Sequence, residues 1–479
     1  MAANGARTIA VIGGGIAGLS AAYRLRELAE AKRRPIAIEV YEADRRLGGA
    51  LETVRRGDLI IETGADSILT EKPAGIKLAE RLGIAGELVP TREQFRKTFV
   101  VHRGRLVELP EGFALLAPAR IGPVIRSPLF SPLGKLRMAL EPLIPRRRAT
   151  DDESLAGFVR RRFGDEVLTR VAQPLAGGIY TADPERLSIG ATLPRFVAME
   201  REHGSVIRGL RAAGRARESA TRGSSGARWS LFVSFRTGVS RIVETLAARL
   251  DDSLRMGRAV ASIVPDAGDG PARWRLRFAG GGETSADAIV CATPAFAAAA
   301  ALAESNPALS AKLAAITYAS AAVVNFAWRA GDFPVAPAGF GFVVPAAERR
   351  RIIAGSFSSL KYPGRAPGGT ILVRAFIGGA LNRELMALSD AEMVAAARDE
   401  FRDLLGVTAE PSLTLVRRWR DAMPQYEVGH LDRVAEIERM ASEIPGLELA
   451  GAYLRGVGIP DCIASGERAA EAIDSFLGN

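Results

Sequence analysis

The start of the chain has the strand, glycine-rich loop and helix of a dinucleotide-binding site. The apolar residues 9–12 lead directly into the stretch 13–18, and a helix-compatible segment follows. In this pattern Gly13 permits a tight turn, Gly15 lets backbone approach a pyrophosphate, and Gly18 lets the helix pack closely on the strand. The helix N-terminus offers unpaired N–H groups to the anion. We therefore predict a pyrophosphate site made of Gly13, Gly14, Gly15, Ile16, Ala17 and Gly18.

The residues that follow indicate which dinucleotide is bound. A second predicted strand, residues 36–41, ends at Glu42, at the spacing expected for an acid that binds a ribose hydroxyl. Arg46, Gly48 and Gly49 come shortly after it. A nicotinamide site has no general need for this second glycine pair, whereas FAD proteins with two dinucleotide motifs do. The pair could also form a plain surface turn, but its place after the acid favours FAD.

The C-terminal region has features of the flavin end of such a site. Residues 447–451 are predicted to form a short buried strand, followed by the glycine-containing stretch 456–461 and a helix over 464–476. Small residues in this loop would let backbone lie against an isoalloxazine ring. The positive end of the helix would then face the flavin and stabilise its reduced anionic form.

Composition limits the remaining possibilities. A chain of 479 residues is too long for one ordinary core, so two or three domains are expected. Cys291 and Cys462 provide neither a disulfide framework nor a metal-ligand spacing, and we expect two buried thiols in a reducing compartment. The histidines, only 3 in number, are scattered along the chain. No metal site and no histidine-based nucleophile are therefore expected.

The basic charge of the chain does not by itself indicate a nucleic-acid partner. The net charge is +10, but the arginine triplets 146–148, 160–162 and 349–351 are short and lack interleaved aromatic residues. We expect these triplets to form solvated arginine faces, and we expect no nucleic-acid binding. Positive charge can also attract an anionic small molecule or an anionic lipid surface.

Residues 113–145 are the one segment whose composition suits a membrane interface. They mix apolar side chains with prolines and basic residues. The alternative, which we favour on sequence alone, is that these apolar side chains form the core of their own domain. We see no secretory signal and no membrane-spanning segment, so a cytoplasmic protein is expected, with at most peripheral contact with the cytoplasmic membrane face.

The order of predicted elements indicates an α/β fold in which separated stretches of chain assemble a Rossmann-like FAD-binding domain. We assign residues 1–75, 229–300 and 411–479 to that domain, and residues 301–410 to a strand-rich substrate domain with a helix over 390–405. Residues 76–212 are predicted to be a mostly helical insertion facing the substrate or a membrane. Residues 213–228, rich in Gly, Ser, Ala and Arg, are predicted to be a flexible linker.

Several motifs in the insertion and beyond it resemble the oxygen-dependent protoporphyrinogen oxidase family. They lie at 104–110, 154–167, 173–188, 362–367, 377–379, 419–430 and 456–462, in the order that the family has them. The resemblance covers nearly the whole chain. It implies the fold of monoamine-oxidase-like flavoenzymes, noncovalently bound FAD, and six-electron oxidation of a porphyrinogen with molecular oxygen as acceptor and hydrogen peroxide as product.

The resemblance also implies which residues form the site. On the flavin side these are Glu42, Arg46, Gly48 and Gly49, the stretch Gly64, Ala65, Asp66 and Ser67 along the flavin, Val260 at the adenine, Trp419, and Val457, Gly458 and Ile459 beside the ring. On the substrate side they are Gly178, whose backbone would face the porphyrinogen, and the apolar clamps Val343 and Tyr362. No dedicated catalytic residue is expected, because loss of hydride from a bridging carbon leaves a cation conjugated with the pyrroles.

Two departures from the family pattern leave alternatives open. Thr98 stands where members often have a propionate-binding arginine, with Arg96 and Lys97 adjacent, and Tyr180 to Asp183 differs from the usual Tyr-Ala-Gly-Asp. The rival interpretations are another flavin enzyme of this fold, such as an amine oxidase or carotenoid desaturase, and a non-catalytic FAD-containing porphyrin carrier. Protoporphyrinogen IX and coproporphyrinogen III are both open as substrates, and a homodimer is compatible with the sequence.

Overall fold

The computed structural model describes residues 6–221, 230–266 and 273–478. Its strands are β1 (Arg7–Ile12), β2 (Ile36–Glu42), β3 (Thr53–Arg56), β4 (Leu59–Glu62), β5 (Ile68–Leu69), β6 (Leu88–Pro90), β7 (Thr98–His102), β8 (Arg105–Glu108), β9 (Phe113–Ala114), β10 (Ala117–Pro118), β11 (Phe232–Phe235), β12 (Leu254–Met256), β13 (Val260–Pro265), β14 (Trp274–Phe278), β15 (Glu283–Ala286), β16 (Ala288–Cys291), β17 (Tyr318–Arg329), β18 (Gly341–Val343), β19 (Ala354–Phe357), β20 (Thr370–Gly378), β21 (Leu413–Pro424) and β22 (Leu447–Leu449).

Its helices are α1 (Ile16–Lys32), α2 (Ala74–Arg81), α3 (Ile121–Arg126), α4 (Pro132–Ala139), α5 (Leu155–Phe163), α6 (Asp165–Val167), α7 (Gln173–Tyr180), α8 (Ile189–Thr192), α9 (Pro194–His203), α10 (Val206–Thr221), α11 (Ser240–Arg249), α12 (Ala295–Leu302), α13 (Pro307–Ala314), α14 (Ser358–Lys361), α15 (Asp390–Leu405), α16 (His430–Ser442) and α17 (Ile459–Gly478). The helix predicted over 390–405 is present with the same bounds. Ser389 caps its start in a capping box with Glu392, and Gly406 ends it at φ 72°.

A five-stranded sheet organises the nucleotide-binding part of the chain. All its pairs are parallel, in the order β12-β2-β1-β16-β22, so β1 lies at its centre. Side chains of α1 and α17 form the core against one face, while β13 to β15 and α12 cover the other. The two helices on the first face meet closely at Gly466, where a Cβ would lie 2.0 Å from the carbonyl oxygen of Ala17. The α/β fold requires this small residue in α17.

A seven-stranded sheet forms the second large layer, in the order β21-β17-β20-β19-β18-β7-β8. Its membership differs from the predicted domain bounds. Strands β7 and β8 come from the segment assigned to the helical insertion, and β21 comes from the segment assigned to the FAD-binding domain. The long pairing of β21 with β17, from Tyr318 opposite Pro424 to Ala327 opposite Leu413, places β21 in this sheet. Distant pairing of this kind leaves no signal in the local sequence.

Two shorter segments also differ from expectation. Residues 213–221, predicted as linker, continue α10, and the rest of that predicted linker lies outside the described residues. Residues 254–263, predicted as one extended piece, form β12 and β13, which belong to two different sheets. The turn at Gly257, with φ 66°, separates the two strands.

The insertion has its own core, and it includes a buried ion pair. Leu129, Phe130 and Met138 pack with residues of α5 and α7, so part of the segment 113–145 is core, as favoured from sequence. Arg162 is fully buried, and its Nε donates to Glu141 Oε1 at 2.8 Å. The expectation of a solvated arginine face is therefore wrong at this position.

Two further features are the lengths of the helices relative to a bilayer and the burial of the two cysteines. Within the described residues, every helix is too short or too polar to cross a bilayer. Cys291 and Cys462 are both buried free thiols, and burial raises the pKa of each thiol, that of Cys462 to about 12. The nearby Thr293 hydroxyl opposes the shift at Cys291.

Replacement of Arg162 by Met should destabilise the insertion. Glu141 would remain in an apolar core with its largest partner removed, a loss of about 3–5 kcal/mol in the free energy of unfolding. Arg160→Met is the matched control, because Arg160 pairs with Asp165 and Glu185 at the protein surface, where such pairs contribute less than about 1 kcal/mol. Denaturant unfolding of both variants measures the difference. Equal losses would contradict the assignment of Arg162 and Glu141 as a structural pair.

Candidate functional site

The first glycine-rich loop closes tightly against its surroundings. Gly13 has φ 104° and donates its N–H to the carbonyl oxygen of Tyr41 at 2.8 Å. A Cβ at Gly13 would lie 2.8 Å from the oxygen of Ala292, and one at Gly18 would lie 1.9 Å from the oxygen of Gly13. Neither position accepts a side chain in this backbone. The N-cap of α1 is Gly15, which carries no side chain, so the first N–H groups of the helix are open to an anion.

Glu42 lies at the end of β2 beside this loop. Its Oε2 accepts the N–H of Gly14 at 2.6 Å, and its Oε1 accepts the N–H of Asp44 at 2.8 Å. The backbone N–H of Arg258 donates to the carbonyl oxygen of Glu42 at 2.8 Å. This bond brings Val260, at the start of β13, to the same edge of the sheet as the acid.

The second glycine pair lies directly on the first loop. Gly48 donates its N–H to the oxygen of Gly14 at 2.8 Å, and Gly48 forms a parallel bridge with Gly15. A Cβ at Gly49 would lie 3.5 Å from the Cα of Gly15. Arg46 holds the second loop by donating to the oxygens of its own neighbours, including Leu51 at 3.1 Å. The two glycine motifs, separate in sequence, therefore form one surface.

Trp419 joins this surface to the seven-stranded sheet. Its Nε1 donates to the oxygen of Thr63 at 2.7 Å. The guanidinium groups of Arg46 and Arg417 lie 5.8 and 4.9 Å from its ring centroid. Both arginines pair with Glu52, at 3.3 and 2.9 Å. The tryptophan predicted to approach the cofactor thus lies close to two cations that share one carboxylate.

The stretch Gly64 to Ser67 lies next to this tryptophan and is fixed by charge. A Cβ at Gly64 would lie 2.0 Å from the oxygen of Ala50 and 3.2 Å from Trp419 Cζ2. Asp66 pairs with Lys361 at 3.0 Å and with Arg374 at 3.1 Å. Burial would raise the pKa of Asp66, but the two cations outweigh it and hold this pKa well below its usual range. Asp66 is therefore a permanent carboxylate.

Tyr362 contacts the same stretch rather than an open cleft. Its hydroxyl donates to Ser67 Oγ at 2.7 Å, the side chain is 1% exposed, and burial raises the pKa of its hydroxyl well above the usual range. Lys361, adjacent to it, and Arg374 were missed by the sequence analysis. Arg374 could have been recognised from the sequence, because it is a charged residue between the apolar stretches Ile-Leu-Val and Ala-Phe-Ile of β20.

The N-terminus of α17 lies against the chain that leaves this stretch. A Cβ at Gly75 would lie 2.7 Å from Ile68 and 3.6 Å from Pro460, in the first turn of α17. Lys72 Nζ pairs with Asp461 at 2.7 Å. The start of α17 therefore lies against Ile68 and Gly75, and the placement of Val457, Gly458 and Ile459 beside the flavin stays a prediction. The first turn of α17 also contains Asp461, an acidic residue that the sequence-based argument about the positive end of this helix did not include.

Three strands of the large sheet present an apolar face to the core of the insertion. Val343 is opposite Ala354, and Ala354 is opposite Phe376, so their side chains share one face. Gly178 in α7 is exposed, and a Cβ there would lie 3.6 Å from Val343 Cγ1. Gly178 and Val343 are therefore brought together, whereas Tyr362 contacts Ser67. Phe376 was missed by the sequence analysis.

The cationic side chains next to Thr98 in the sequence pair with carboxylates at the protein surface. Thr98 lies on the same sheet, opposite Gly341. Lys97 Nζ pairs with Glu108 at 2.9 Å, and Arg96 lies 3.8 Å from Glu93. The side chains of Arg96 and Lys97 are thus about half exposed and engaged with surface carboxylates.

The residues of the glycine loops fit a flavin dinucleotide. A Cβ built at Gly15 would meet no described atom within 4 Å, which leaves open space at the N-terminus of α1 for a phosphate. Glu42 lies beside this loop, where its carboxylate can bind a ribose hydroxyl. Gly64 and Gly458 make room for neighbouring protein atoms, because a Cβ would lie 2.0 Å from the oxygen of Ala50 and 2.9 Å from Asp461 Oδ2, respectively.

Known proteins resemble the chain over nearly its whole length. The family described as flavin containing amine oxidoreductase matches residues 16–474. The coproporphyrinogen III oxidase of Bacillus subtilis (strain 168) is 32% identical, covering 99% of this chain and 99% of that protein. That of Propionibacterium freudenreichii subsp. freudenreichii is 34% identical and covers 98% and 91%. The protoporphyrinogen oxidase of Homo sapiens is 31% identical and covers 98% of both chains.

Solved structures give the same picture of the fold. A protein from Exiguobacterium sp. 255-15, assigned as a protoporphyrinogen oxidase, is 29% identical with a TM-score of 0.84 and covers 98% of this chain and 99% of that chain. Cyclohexylamine oxidase from Brevibacterium oxydans IH-35A has a TM-score of 0.71 at 18% identity, covering 99% and 100%. The similarity to cyclohexylamine oxidase concerns the fold alone. The predicted α/β fold and the predicted family resemblance are confirmed.

Replacement of Gly15 by Val should weaken flavin binding without unfolding the protein. The backbone at Gly15, with φ −71° and ψ 175°, suits any residue, and a Cβ there meets no described atom within 4 Å. It would instead occupy the space next to the helix N-terminus, and we expect the Kd for FAD to rise by about tenfold or more. Flavin fluorescence titration of the flavin-free protein measures this change.

Gly86→Val is the control for this experiment. Gly86 is exposed, and a Cβ there also meets no described atom within 4 Å. Both variants should keep the unfolding temperature of the flavin-free wild type. Unchanged FAD affinity in Gly15→Val would refute the placement of the pyrophosphate.

Proposed function

The chain belongs to the flavin containing amine oxidoreductase family, and we propose that this FAD enzyme oxidises a porphyrinogen of the class of coproporphyrinogen III and protoporphyrinogen IX, in haem biosynthesis. The observation that carries the proposal is the apolar face of Val343, Ala354 and Phe376 beside the flavin stretch. Relatives named for both substrates support it, because they match this chain almost from end to end. An amine oxidase or desaturase on the same fold and a non-catalytic porphyrin carrier are the alternatives that the experiment below tests.

The proposed roles of the side chains are binding and orientation. The apolar face of the large sheet holds one side of a flat tetrapyrrole by contact and excludes water from it. Gly178 adjoins this surface, since a Cβ there would lie 3.6 Å from Val343 Cγ1. A bound flavin supplies the hydride acceptor, which molecular oxygen reoxidises with release of hydrogen peroxide. No side chain needs to act as a base, because the pyrroles stabilise the cation left on the bridging carbon.

Anaerobic mixing with each porphyrinogen tests this proposal. We expect flavin absorbance to bleach with a porphyrinogen and not with amines or polyenes, and we expect air to restore it with formation of peroxide and a fluorescent porphyrin. Steady-state kinetics on both porphyrinogens then identifies the preferred substrate. Bleaching by amines or polyenes alone would establish the first alternative. Binding of a porphyrinogen without bleaching would establish the carrier.

Replacement of Gly178 by Val should affect the substrate more than the flavin. The larger side chain would lie next to Val343 in the proposed substrate position, so we expect KM for the porphyrinogen to rise about tenfold or more while the flavin spectrum is unchanged. Gly122→Val, in α3 of the same insertion and with no described atom within 4 Å of a Cβ, is the control. A wild-type KM in Gly178→Val would place the substrate elsewhere.

We further propose that the protein is cytoplasmic and makes weak contact with anionic lipid through α4 and its flanks. Leu133, Leu136 and Leu140 form a stripe along this element, and Leu133 is 78% exposed. Ile125 and Leu143 are further exposed apolar residues, and the basic residues near them in the sequence are Arg126, Lys135, Arg146, Arg147 and Arg148. Exposed apolar side chains combined with basic residues are typical of a segment that lies on a membrane interface.

A variant with Leu133, Leu136 and Leu143 replaced by Ser should lose binding to vesicles. We expect the wild type to sediment with vesicles containing phosphatidylglycerol and the variant to remain in the supernatant, with equal turnover of a porphyrinogen in detergent-free buffer. Val335→Ser is the control, because Val335 is 79% exposed in the loop between β17 and β18. Equal sedimentation of wild type and triple variant would refute this contact.

A further inference from the structure

Two charge clusters lie on the side of the seven-stranded sheet that meets residues 64–67. In each cluster two cations share one carboxylate. Asp66 is shared by Lys361 and Arg374. Glu52 is shared by Arg46 and Arg417, the two arginines next to Trp419. Each cluster therefore carries an excess of one positive charge.

The cluster around Asp66 is the more enclosed of the two. The side chain of Arg374 is 3% exposed, and those of Asp66 and Lys361 are 15% and 17% exposed. Water and salt screen charges at such positions much less than charges at the surface. The neighbouring pair of Arg365 and Glu62, at 3.3 Å, is buried as well, but it contains one charge of each sign and does not cancel the excess.

The charge of Arg374 is also fixed in position. One of its terminal nitrogens donates to Asp66 at 3.1 Å and the other donates to the backbone oxygen of Gly64. Its guanidinium lies 4.9 Å from the ring centroid of Phe376, on the substrate face. Its Nε is buried and has no hydrogen-bond partner among the described residues. The guanidinium thus lies directly behind the backbone of Gly64 and cannot turn away when a charge forms nearby.

We propose that the excess positive charge of Lys361 and Arg374 sets the reduction potential of the bound flavin. This inference rests on the proposed function, in which the flavin lies along residues 64–67. Reduction by hydride adds a negative charge to the ring system, whereas the oxidised ring is neutral. A fixed positive charge stabilises the reduced form and leaves the oxidised form almost unaffected. Lys361 and Arg374 are positioning residues in this scheme, because they act on the cofactor through the field of the cluster.

Holoenzyme variants that change the charge of the cluster test the proposal. For a charge on the order of 10 Å away at an effective dielectric constant of about 20, one unit charge changes the ratio of reduced to oxidised flavin by about tenfold. In Arg374→Gln and Lys361→Gln we expect this ratio to fall by that factor. In Asp66→Asn, which removes the shared carboxylate, we expect it to rise. Tenfold corresponds to about 30 mV for a two-electron couple.

The measurement is the midpoint potential of the bound flavin, obtained by equilibration with a reference dye in the absence of substrate. Arg374→Lys keeps the charge and should restore the potential to within about a third of the glutamine effect. Lys312→Gln is the matched control, because Lys312 pairs with Glu436 at 2.8 Å on the surface of α13. Lys361→Gln provides a second route if Arg374→Gln does not fold, since Lys361 is partly exposed.

The outcomes separate this inference from the function on which it depends. Opposite shifts in Lys361→Gln and Asp66→Asn, with no shift in Lys312→Gln, would support it. An unchanged potential in Lys361→Gln, or shifts of the same sign in Lys361→Gln and Asp66→Asn, would overturn it while the yellow holoenzyme still oxidises a porphyrinogen. A wild-type protein that binds no FAD would overturn the proposed function as well.

Discussion

The close approach of backbone to backbone at the first glycine-rich loop is the constraint on which the rest of the site depends. Gly13 lies against Ala292, Gly18 lies against Gly13, and Gly14 accepts a hydrogen bond from Gly48. These contacts leave no room for side chains, and they fix β1, α1 and the second loop relative to one another. Glu42 then takes its place beside the loop because β2 pairs with β1 along its whole length. The site is assembled around a position where only glycine fits.

A second set of interactions ties this nucleotide-binding part to the large sheet. Trp419 donates to the oxygen of Thr63, and Arg374 and Lys361 meet Asp66. In the proposed function the flavin lies along residues 64–67, where these two layers meet. The ion pairs of Lys361 and Arg374 with Asp66 hold the two layers together, and they leave one positive charge in excess beside residues 64–67. Structural attachment and electrostatic influence on the cofactor therefore come from one group of side chains.

The insertion has one face that packs in its own core and another face that is exposed to solvent. Met138 is buried in α4, whereas Leu133 and Leu136 of the same helix point outward. The buried pair of Arg162 and Glu141 holds the segment before α5 to the start of α10, where Glu141 also accepts the N–H of Val206 at 2.9 Å. A polar interaction at the centre thus orients an element whose outer surface is apolar.

The sequence by itself determined the glycine loops, the acid at Glu42, the helix over 390–405 and the family, because each depends on residues that are neighbours in the chain or on a pattern with a fixed period. It did not determine that β7, β8 and β21 share a sheet, nor that Arg162 is buried, nor that Lys361 and Arg374 meet Asp66. Those facts depend on contacts between segments that are separated in the chain, by 21 residues for Arg162 and Glu141 and by 308 for Arg374 and Asp66, and local composition carries no record of the partner. Only the tertiary structure decided them, since burial and charge pairing arise when distant segments come together.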